Sequence, residues 1–301
     1  MNILITTASF GNHPFPASWN VIFNPHGRKL TEPEIGQMVE EYQPVGIIAG
    51  VEPLTRQVML KSGSLKVISR SGIGLDSVDI EAANELGITV VNTPDAPTVS
   101  VAELTIGLML CIIRRINTMD ANIKKGIWKG MPGMLMKGKT VGIIGCGRIG
   151  TQVARLVTAF GCNTLGYDPL VQKHEICKMT SLDEILVNAD IITLHIPYSK
   201  ENRHLIGARE LKRMKSSSLL INAARGGIVD ESALFDALVS GTISGAALDC
   251  FETEPYSGPL TQLENVLFTS HTGSDAIESK TNMERQALNN LVMALAKHGL
   301  E

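Results

Sequence analysis

A glycine-rich loop constrains the fold of this sequence more than any other feature. The apolar run Thr140–Ile144 is followed by Gly145-Cys146-Gly147-Arg148-Ile149-Gly150 and then by the amphipathic stretch Thr151–Val157. This order predicts a strand, a G-x-G-x-x-G turn and a helix. In such a turn the first glycine permits a tight bend, the second lets the backbone approach a pyrophosphate, and the third lets helix and strand pack closely. We therefore predict a dinucleotide site at Gly145, Gly147, Arg148, Ile149 and Gly150.

An aspartate at the end of the next apolar run indicates which dinucleotide binds. Asp168 follows Thr164–Tyr167, where a carboxylate would accept hydrogen bonds from the adenosine ribose hydroxyls. Positions 169 and 170 hold neither Arg nor Lys to receive a 2′-phosphate, and the carboxylate would repel one. We predict that NAD binds in preference to NADP. The alternative interpretation of Asp168 is an aspartate that forms a turn before Pro169.

Short apolar runs alternate with stretches of helical spacing, which predicts parallel β-α-β units. The first series comprises Ile3–Ile5, Gly46–Ala49, Val67–Ile68 and Thr89–Val91. The second series comprises Thr140–Gly145, Thr164–Tyr167, Ile191–His195, Leu219–Asn222, Gly245–Leu248 and Val266–Thr269. Six runs of strand type are the number in a complete dinucleotide-binding Rossmann fold. The predicted fold class is therefore α/β, with two doubly wound parallel-sheet domains.

A turn-rich stretch separates the two series and predicts a domain junction. It covers Asn92–Pro97, after which Ser100 and Glu103 can form a capping box for an apolar helix that continues to Arg115. The tail Ser279–His298 has helical spacing and can return to the first domain. We predict one domain from residues 1–96 and 282–301, and a nucleotide-binding domain from residues 97–281.

Composition excludes several classes of protein. The chain has 301 residues, 44% of them hydrophobic, and a net charge of -3 without a basic stripe, so we expect no nucleic-acid partner. The longest apolar run, Leu104–Ile113, has about half the ~20 residues of a membrane span, so no membrane segment is predicted. The five cysteines are scattered without C-x-x-C spacing, which predicts neither disulfides nor a metal site. Because Met1–Ile5 is typical of a strand rather than a signal peptide, we predict a cytoplasmic protein.

Three further motifs stand at strand ends of the second series, where ligands bind in a doubly wound sheet. They are Asn222–Gly227, Asp249–Pro255 and Ser270–Gly273, and they supply Arg225, Glu254 and His271. A guanidinium holds a carboxylate or carbonyl oxygen by two parallel hydrogen bonds, and an imidazole exchanges a proton near neutral pH. Hydride transfer from an alcohol carbon to nicotinamide needs such a base, because the hydroxyl proton leaves with the hydride. Each residue has an ordinary structural interpretation by itself; together they predict a catalytic site.

With these motifs in this order, the sequence resembles the D-isomer-specific 2-hydroxyacid dehydrogenases, the family of phosphoglycerate dehydrogenase and of glyoxylate and hydroxypyruvate reductases. The resemblance covers nearly the whole chain. It also rests on Arg70–Asp79, Val101–Glu103, Gly138–Gly145, Tyr167–Pro169 and His195–Pro197. The family implies a flavodoxin-like substrate domain, a Rossmann NAD domain, and a homodimer built on the NAD domain.

The resemblance also implies the roles of individual residues. Arg225 would bind the substrate, Glu254 would pair with His271, and His271 would be the acid/base. The backbone amides of Ser71, Gly72, Ile73 and Gly74 would bind the substrate carboxylate. Further contacts with the cofactor would come from His195, Pro197, Ala223, Asp249 and Gly273. The implied activity is hydride transfer between NAD(H) and a D-2-hydroxy acid/2-oxo acid pair.

The sequence leaves the substrate open. Phosphoglycerate dehydrogenases have an arginine for the substrate phosphate after the strand that ends here near Gly50, and this chain has Val51–Thr55 instead. Glu52 would repel a phosphate if it faced the site, which makes 3-phosphoglycerate a less secure prediction. Two alternatives remain: an NADH-binding regulatory scaffold of the C-terminal binding protein type, and a dehydrogenase of another small acid such as phosphite. Formate is disfavoured because formate dehydrogenase would have glutamine in place of Glu254.

Overall fold

The chain divides into two units in the computed structural model, which describes residues 1–300. The first unit combines Met1–Pro97 with the chain from Asp275 onward, and the second is Thr98–Ser274. The chain thus changes units after Pro97 and after Ser274, where the sequence placed the changes after residues 96 and 281. The second unit is therefore inserted into the first.

The first unit contains a parallel sheet of five strands within the described residues, in the order β2-β1-β3-β4-β5. Its elements are β1 Asn2–Ile5, β2 Asn20–Phe23, α1 Glu32–Tyr42, β3 Gly46–Ala49, α2 Arg56–Met59, β4 Val67–Arg70, α3 Ile80–Glu85 and β5 Thr89–Asn92. This order is that of the flavodoxin-like fold, so the predicted class is confirmed. The sequence analysis missed β2, an edge strand that is only partly buried and whose apolar run, Val21–Phe23, is short.

The second unit contains a parallel sheet of seven strands in the part of the chain that the structure describes, in the order β12-β11-β10-β9-β6-β7-β8. Its elements are α4 Thr98–Ile113, α5 Ile116–Lys124, β6 Thr140–Ile144, α6 Arg148–Ala159, β7 Asn163–Tyr167, β8 Lys178–Met179, α7 Leu182–Asn188, β9 Ile191–Leu194, α8 Ala208–Leu211, β10 Leu219–Asn222, α9 Glu231–Val239, β11 Gly245–Leu248 and β12 Val266–Phe268. Six of these strands match the predicted runs. The sequence analysis missed the seventh, β8, because two residues at a sheet edge give no periodicity.

The last helix, α10 (Ile277–Lys297), packs on the sheet of the first unit. Leu291 is fully buried and lies against Gly46, and the Ser69 hydroxyl donates a hydrogen bond to the Ala287 carbonyl at 2.7 Å. At the start of the helix the Ser279 hydroxyl donates to the Ala96 carbonyl at 3.0 Å. Because these contacts begin at Ser279, the helix belongs to the first unit from its first turn.

Helix α4 begins earlier than the sequence predicted. The proposed capping box at Ser100 is wrong, because the helix already starts at Thr98 and Ser100 is buried inside it. The Ser100 hydroxyl instead donates to the Gly273 carbonyl at 2.7 Å, which ties the helix to the loop after β12. Although α4 is strongly apolar, residues 1–300 contain no helix long and apolar enough to cross a membrane.

Candidate active site

The glycine loop between β6 and α6 is closely packed at Gly145 and Gly150 and open at Gly147. Gly145 has a φ of +96°, and a Cβ there would lie 2.5 Å from the His195 carbonyl oxygen, so the bend requires glycine. Gly150 packs directly on the Gly145 carbonyl. No atom lies within 4 Å of a Cβ placed on Gly147, which is exposed just before the first turn of α6. The free N-terminus of α6 and this open space fit a pyrophosphate, which supports the predicted role of the loop.

Asp168 follows β7 and is hydrogen-bonded to the glycine loop. Its Oδ2 accepts the backbone N–H of Cys146 at 2.9 Å, and its Oδ1 accepts the N–H of Leu170 at 2.9 Å. A carboxylate oxygen can accept more than one hydrogen bond, so ribose hydroxyls can still bind it. The structure therefore places the predicted ribose ligand beside the predicted phosphate site, within one unit.

Glu254 and His271 form an ion pair that joins the loops after β11 and β12. The Nδ1 of His271 lies 2.9 Å from both carboxylate oxygens of Glu254, and Oε1 also accepts the N–H of Phe251 at 3.1 Å. His271 adopts a left-handed backbone conformation with φ of +55°. Both side chains are partly exposed, and Nε2 of His271 has no hydrogen-bond partner in residues 1–300. The imidazole is thus oriented through one nitrogen and open to a ligand at the other.

Buried Asp249 holds the loop that carries His271. Its Oδ1 accepts the Thr269 hydroxyl at 2.6 Å and the Thr272 N–H at 2.9 Å, while Oδ2 accepts the Gly273 N–H at 2.9 Å. Asp249 is 1% exposed, so water screens these bonds little. The resemblance implied cofactor contact for Asp249 and Gly273; the structure shows that the two residues bond each other. Positioning of His271 is a role that the sequence analysis missed.

Arg225 lies in a turn that Asn222 organises. The buried Asn222 side chain donates to the Arg225 carbonyl at 2.9 Å and accepts the Ala224 N–H at 3.1 Å. Nη1 of Arg225 donates to the Ala224 carbonyl at 2.7 Å. Gly226 packs so closely on the carbonyl of Phe251 that any side chain would collide with it. This packing places the Arg225 turn against the start of the segment that carries Glu254.

Cys250 lies among these groups, although the sequence analysis gave it no role. Its sulfur, a carboxylate oxygen of Glu254 and a ring nitrogen of His271 lie within 4.8 Å of one another. Burial raises the pKa of the Cys250 thiol, the charge of Asp249 adds to this, and the charge of Arg225 opposes it. The thiol therefore stays protonated. The Cys250 thiol lies beside Glu254 and His271, and the positive charge of Arg225 acts on the same thiol. The three predicted catalytic residues therefore lie close together.

His195, a predicted cofactor contact, faces the interior. Its Nε2 is 2.9 Å from the Thr193 hydroxyl, while its Nδ1 is buried without a hydrogen-bond partner in the described chain. Burial lowers the pKa of His195 to about 3, so the ring is neutral at physiological pH. Of the other predicted contacts, Pro197 is exposed and Ala223 is buried. Their contact with a cofactor stays a prediction.

The predicted carboxylate-binding loop belongs to the first unit, and only part of it has free amides. The Ser71 N–H donates to the Ala49 carbonyl at 2.9 Å, and the Gly72 N–H donates to the Thr93 hydroxyl at 2.8 Å. The amides of Ile73 and Gly74 have no partner within residues 1–300. The structure thus narrows the predicted amide donors from four residues to Ile73 and Gly74.

Comparisons with known proteins agree with these features. A family model described as "D-isomer specific 2-hydroxyacid dehydrogenase, NAD binding domain" matches residues 106–273. The D-3-phosphoglycerate dehydrogenase of Methanocaldococcus jannaschii is 44% identical over 83% of this chain and 49% of its own length, so this chain spans about half of that relative. The hydroxypyruvate reductase of Thermotoga maritima is 37% identical over 83% of this chain and 84% of its own length. The crystal structure of the TT0316 protein from Thermus thermophilus superposes with a TM-score of 0.91 and 34% identity, covering 100% of this chain and 98% of that one.

The buried neutral ring of His195 predicts a stability that falls in acid. Below its ordinary pKa of about 6.5 the unfolded chain binds a proton that the folded chain excludes down to a pH of about 3. The free energy of unfolding should therefore fall by an additional ~1 kcal/mol for each pH unit below about 6. His195→Gln should remove this additional slope, whereas the exposed His26→Gln should keep it. Urea unfolding at about pH 7, 6 and 5 measures how the free energy of unfolding depends on pH. Equal slopes in wild type and His195→Gln would contradict the prediction.

Proposed function

The chain belongs to the D-isomer specific 2-hydroxyacid dehydrogenases, and we propose from this that it interconverts a D-2-hydroxy acid and the corresponding 2-oxo acid. The matched region is the NAD-binding domain of the family, so the cofactor is NAD(H). The observation that carries the proposal is the ion pair of His271 with both carboxylate oxygens of Glu254, at the same edge of the sheet as the glycine loop. A regulatory scaffold without catalysis would not need an imidazole oriented in this way.

The chemistry follows from the charges of three side chains. When bound, the nicotinamide accepts or returns a hydride at the C2 carbon of the substrate. In oxidation, Nε2 of His271 takes the hydroxyl proton as the hydride leaves, and in reduction it gives this proton to the carbonyl oxygen. Glu254 holds Nδ1 and stabilises the imidazolium form that oxidation produces. The Arg225 guanidinium would bind the oxygen atoms of the 2-oxo acid through its positive charge.

The substrate we propose is a small 2-oxo or 2-hydroxy acid. The role of Ile73 and Gly74 as amide donors to the substrate carboxylate stays a prediction. The sequence analysis argued that Glu52 would repel a phosphate if it faced the site. Glu52 is instead 1% exposed and accepts hydrogen bonds from Thr6 and Gly50, so this argument against a phosphate no longer applies. Burial raises the pKa of Glu52, which further disfavours its charge. The arginine expected after Gly50 is still absent, so the sequence supports an unphosphorylated acid better than 3-phosphoglycerate.

Turnover of a panel of 2-oxo acids tests the proposed function. We expect the 301-residue chain to oxidise NADH with at least one of glyoxylate, hydroxypyruvate, pyruvate, 2-oxoglutarate and 3-phosphohydroxypyruvate, with 3-phosphohydroxypyruvate not the best of them. NADH fluorescence measures the rate for each compound. Tight NADH binding without turnover of any member would favour the regulatory scaffold.

The pairing of Glu254 with His271 predicts that the two residues act as one unit. His271→Ala should lower kcat by on the order of a hundredfold or more, and Glu254→Gln should cost less, because the oriented base is lost only in the first case. The second substitution should add little to the first.

The matched control for this cycle is Glu252→Gln, which removes a nearby carboxylate that contacts His204 instead. It should leave kcat close to that of wild type. The measurement is kcat for reduction in the four variants and the wild type. Fully additive losses would show that Glu254 and His271 work independently.

The position of Asp168 predicts the choice of dinucleotide. Wild type should prefer NAD over NADP by at least on the order of tenfold in kcat/KM, because the carboxylate repels a 2′-phosphate. Asp168→Asn keeps an oxygen for the Cys146 N–H but removes the charge, so this preference should shrink. The control is Asp183→Asn, which removes a carboxylate on α7 that is paired with Arg213. This substitution should leave the preference unchanged. Equal use of both cofactors by wild type would remove Asp168 from this role.

We also propose that the second unit forms a homodimer. Residues after α4 expose large apolar side chains, including Trp128 at 91% and Leu135 at 69%, together with Ile116, Ile123 and Ile127. So many large apolar side chains exposed within residues 116–135 are unusual on a monomer and fit a second copy of the chain. Trp128→Glu should shift the sedimentation equilibrium from dimer to monomer, whereas Val239→Glu, also exposed, should not. A monomeric wild type at micromolar concentration would contradict the proposal.

A cytoplasmic location also stays a proposal. The five cysteines are free thiols in the structure, and four of them are buried. Free thiols are typical of proteins from reducing compartments.

A further inference from the structure

Two buried cysteines meet beside the glycine loop. Cys146, the second residue of that loop, is 5% exposed, and Cys177, just before β8, is 4% exposed. The Cys146 sulfur and the Cys177 Cβ both lie within 3 Å of the point that a Cβ on Gly166 would occupy, so the two side chains are neighbours. They come from opposite sides of β7, since β6 and β8 pair with that strand from its two edges. The contact is therefore one of tertiary structure and not of sequence spacing.

Gly166 on β7 makes this contact possible. A Cβ at Gly166 would lie 2.8 Å from the Cys146 sulfur and 2.9 Å from the Cys177 Cβ, so both cysteines occupy the space above it. Any side chain at position 166 would have to displace one of them. The chain thus carries a glycine in a strand interior, and the side chains of Cys146, Cys177 and Met179 fill the space that a Cβ would need.

The two thiols differ in acidity. Interaction with Cys177 and burial raise the pKa of Cys146, whereas interaction with Cys146 lowers the pKa of Cys177. Asp168 acts in the same sense, because its negative charge raises the pKa of Cys146. An acidic thiol beside a protonated partner is the arrangement that oxidises to a disulfide.

Closure of an S–S bond would disturb the glycine loop. Cys146 lies between Gly145 and Gly147, its N–H donates to Asp168 at 2.9 Å, and its carbonyl accepts the Thr151 hydroxyl at 3.3 Å. Cys177 lies just before β8, which has two residues and pairs only with β7 in the described sheet. Both thiols are free in the structure, so closing a sulfur–sulfur bond of about 2.05 Å requires one side to move. The edge strand and the loop of Cys146 both have to adjust.

We propose that Cys146 and Cys177 form a reversible disulfide site that responds to peroxide and weakens dinucleotide binding when closed. The Cys177 thiolate attacks one oxygen of hydrogen peroxide, which breaks the O–O bond, releases water after protonation and leaves a sulfenic acid. The Cys146 sulfur then attacks the sulfenic sulfur, the S–S bond forms, and a second water leaves. Two thiols lose two electrons and one peroxide gains them. A dithiol reductant reverses the reaction.

Peptide mapping after peroxide treatment tests the disulfide without any cofactor. We expect wild type to lose two hydrogen atoms in intact mass and to yield a linked peptide containing Cys146 and Cys177, which dithiothreitol separates. Cys177→Ser should give no such link, and Cys162→Ser, also buried but bonded to the Met136 carbonyl, should behave as wild type. Absence of the 146–177 link in oxidised wild type, or a link to another cysteine, would overturn the site.

NADH binding measures the consequence, which rests on the proposed function. Oxidation should raise the Kd of wild type for NADH by on the order of tenfold or more, and dithiothreitol should restore it. Cys177→Ser should keep its affinity after the same treatment. A linked wild type with unchanged affinity would overturn the coupling to the loop. Failure of untreated wild type to bind NADH would instead count against the proposed function, so the two failures are distinguishable.

Discussion

The geometry of the catalytic residues depends on one buried carboxylate. Asp249 accepts hydrogen bonds from a hydroxyl and two backbone amides of the loop after β12, and this loop carries His271 in a left-handed conformation. A buried charge is stable only when such donors surround it, so the loop and the carboxylate fix each other. Ser100 extends the same network to helix α4 through the Gly273 carbonyl. Glu254 then needs only to orient an imidazole whose backbone is already held.

Parallel sheet topology explains why residues so far apart in sequence cooperate. The glycine loop, Asp168, Arg225, Glu254 and His271 follow different strands, and parallel strands end at one edge of the sheet. Close backbone approaches then determine how the loops at this edge fit together. Gly145 on His195, and Gly226 on Phe251, bring neighbouring loops within distances that a Cβ would prevent. The reactive side chains are thus carried by loops whose spacing the glycines set.

The sequence predicts the buried elements better than the exposed ones. Strands β6, β9, β10 and β11 are nearly or fully buried and give clear apolar runs, so their positions could be read directly. Strands β2 and β8 lie at sheet edges and pair with one neighbour each. This pairing decides their conformation, and the sequence shows no periodicity that would indicate it. The chemistry of Arg225, Glu254 and His271 was visible from residue types. The roles of Asp249, Ser100 and the Cys146–Cys177 pair depend on tertiary contacts. A local sequence pattern does not indicate such contacts. The amides of Ser71 and Gly72 were assigned to a ligand for the same reason, because their acceptors lie on other segments.

The return of α10 to the first unit has a consequence for synthesis on the ribosome. The strands β1 to β5 emerge first, but their sheet lacks Ala287, Leu291 and the acceptor for the Ser69 hydroxyl until the last helix has been made. The second unit, Thr98–Ser274, is complete before that point and can fold while the chain is still attached. The first unit can therefore complete its packing only after translation has passed α10. During that interval the apolar face formed by Ile3, Ile48 and Val67 is without its natural cover.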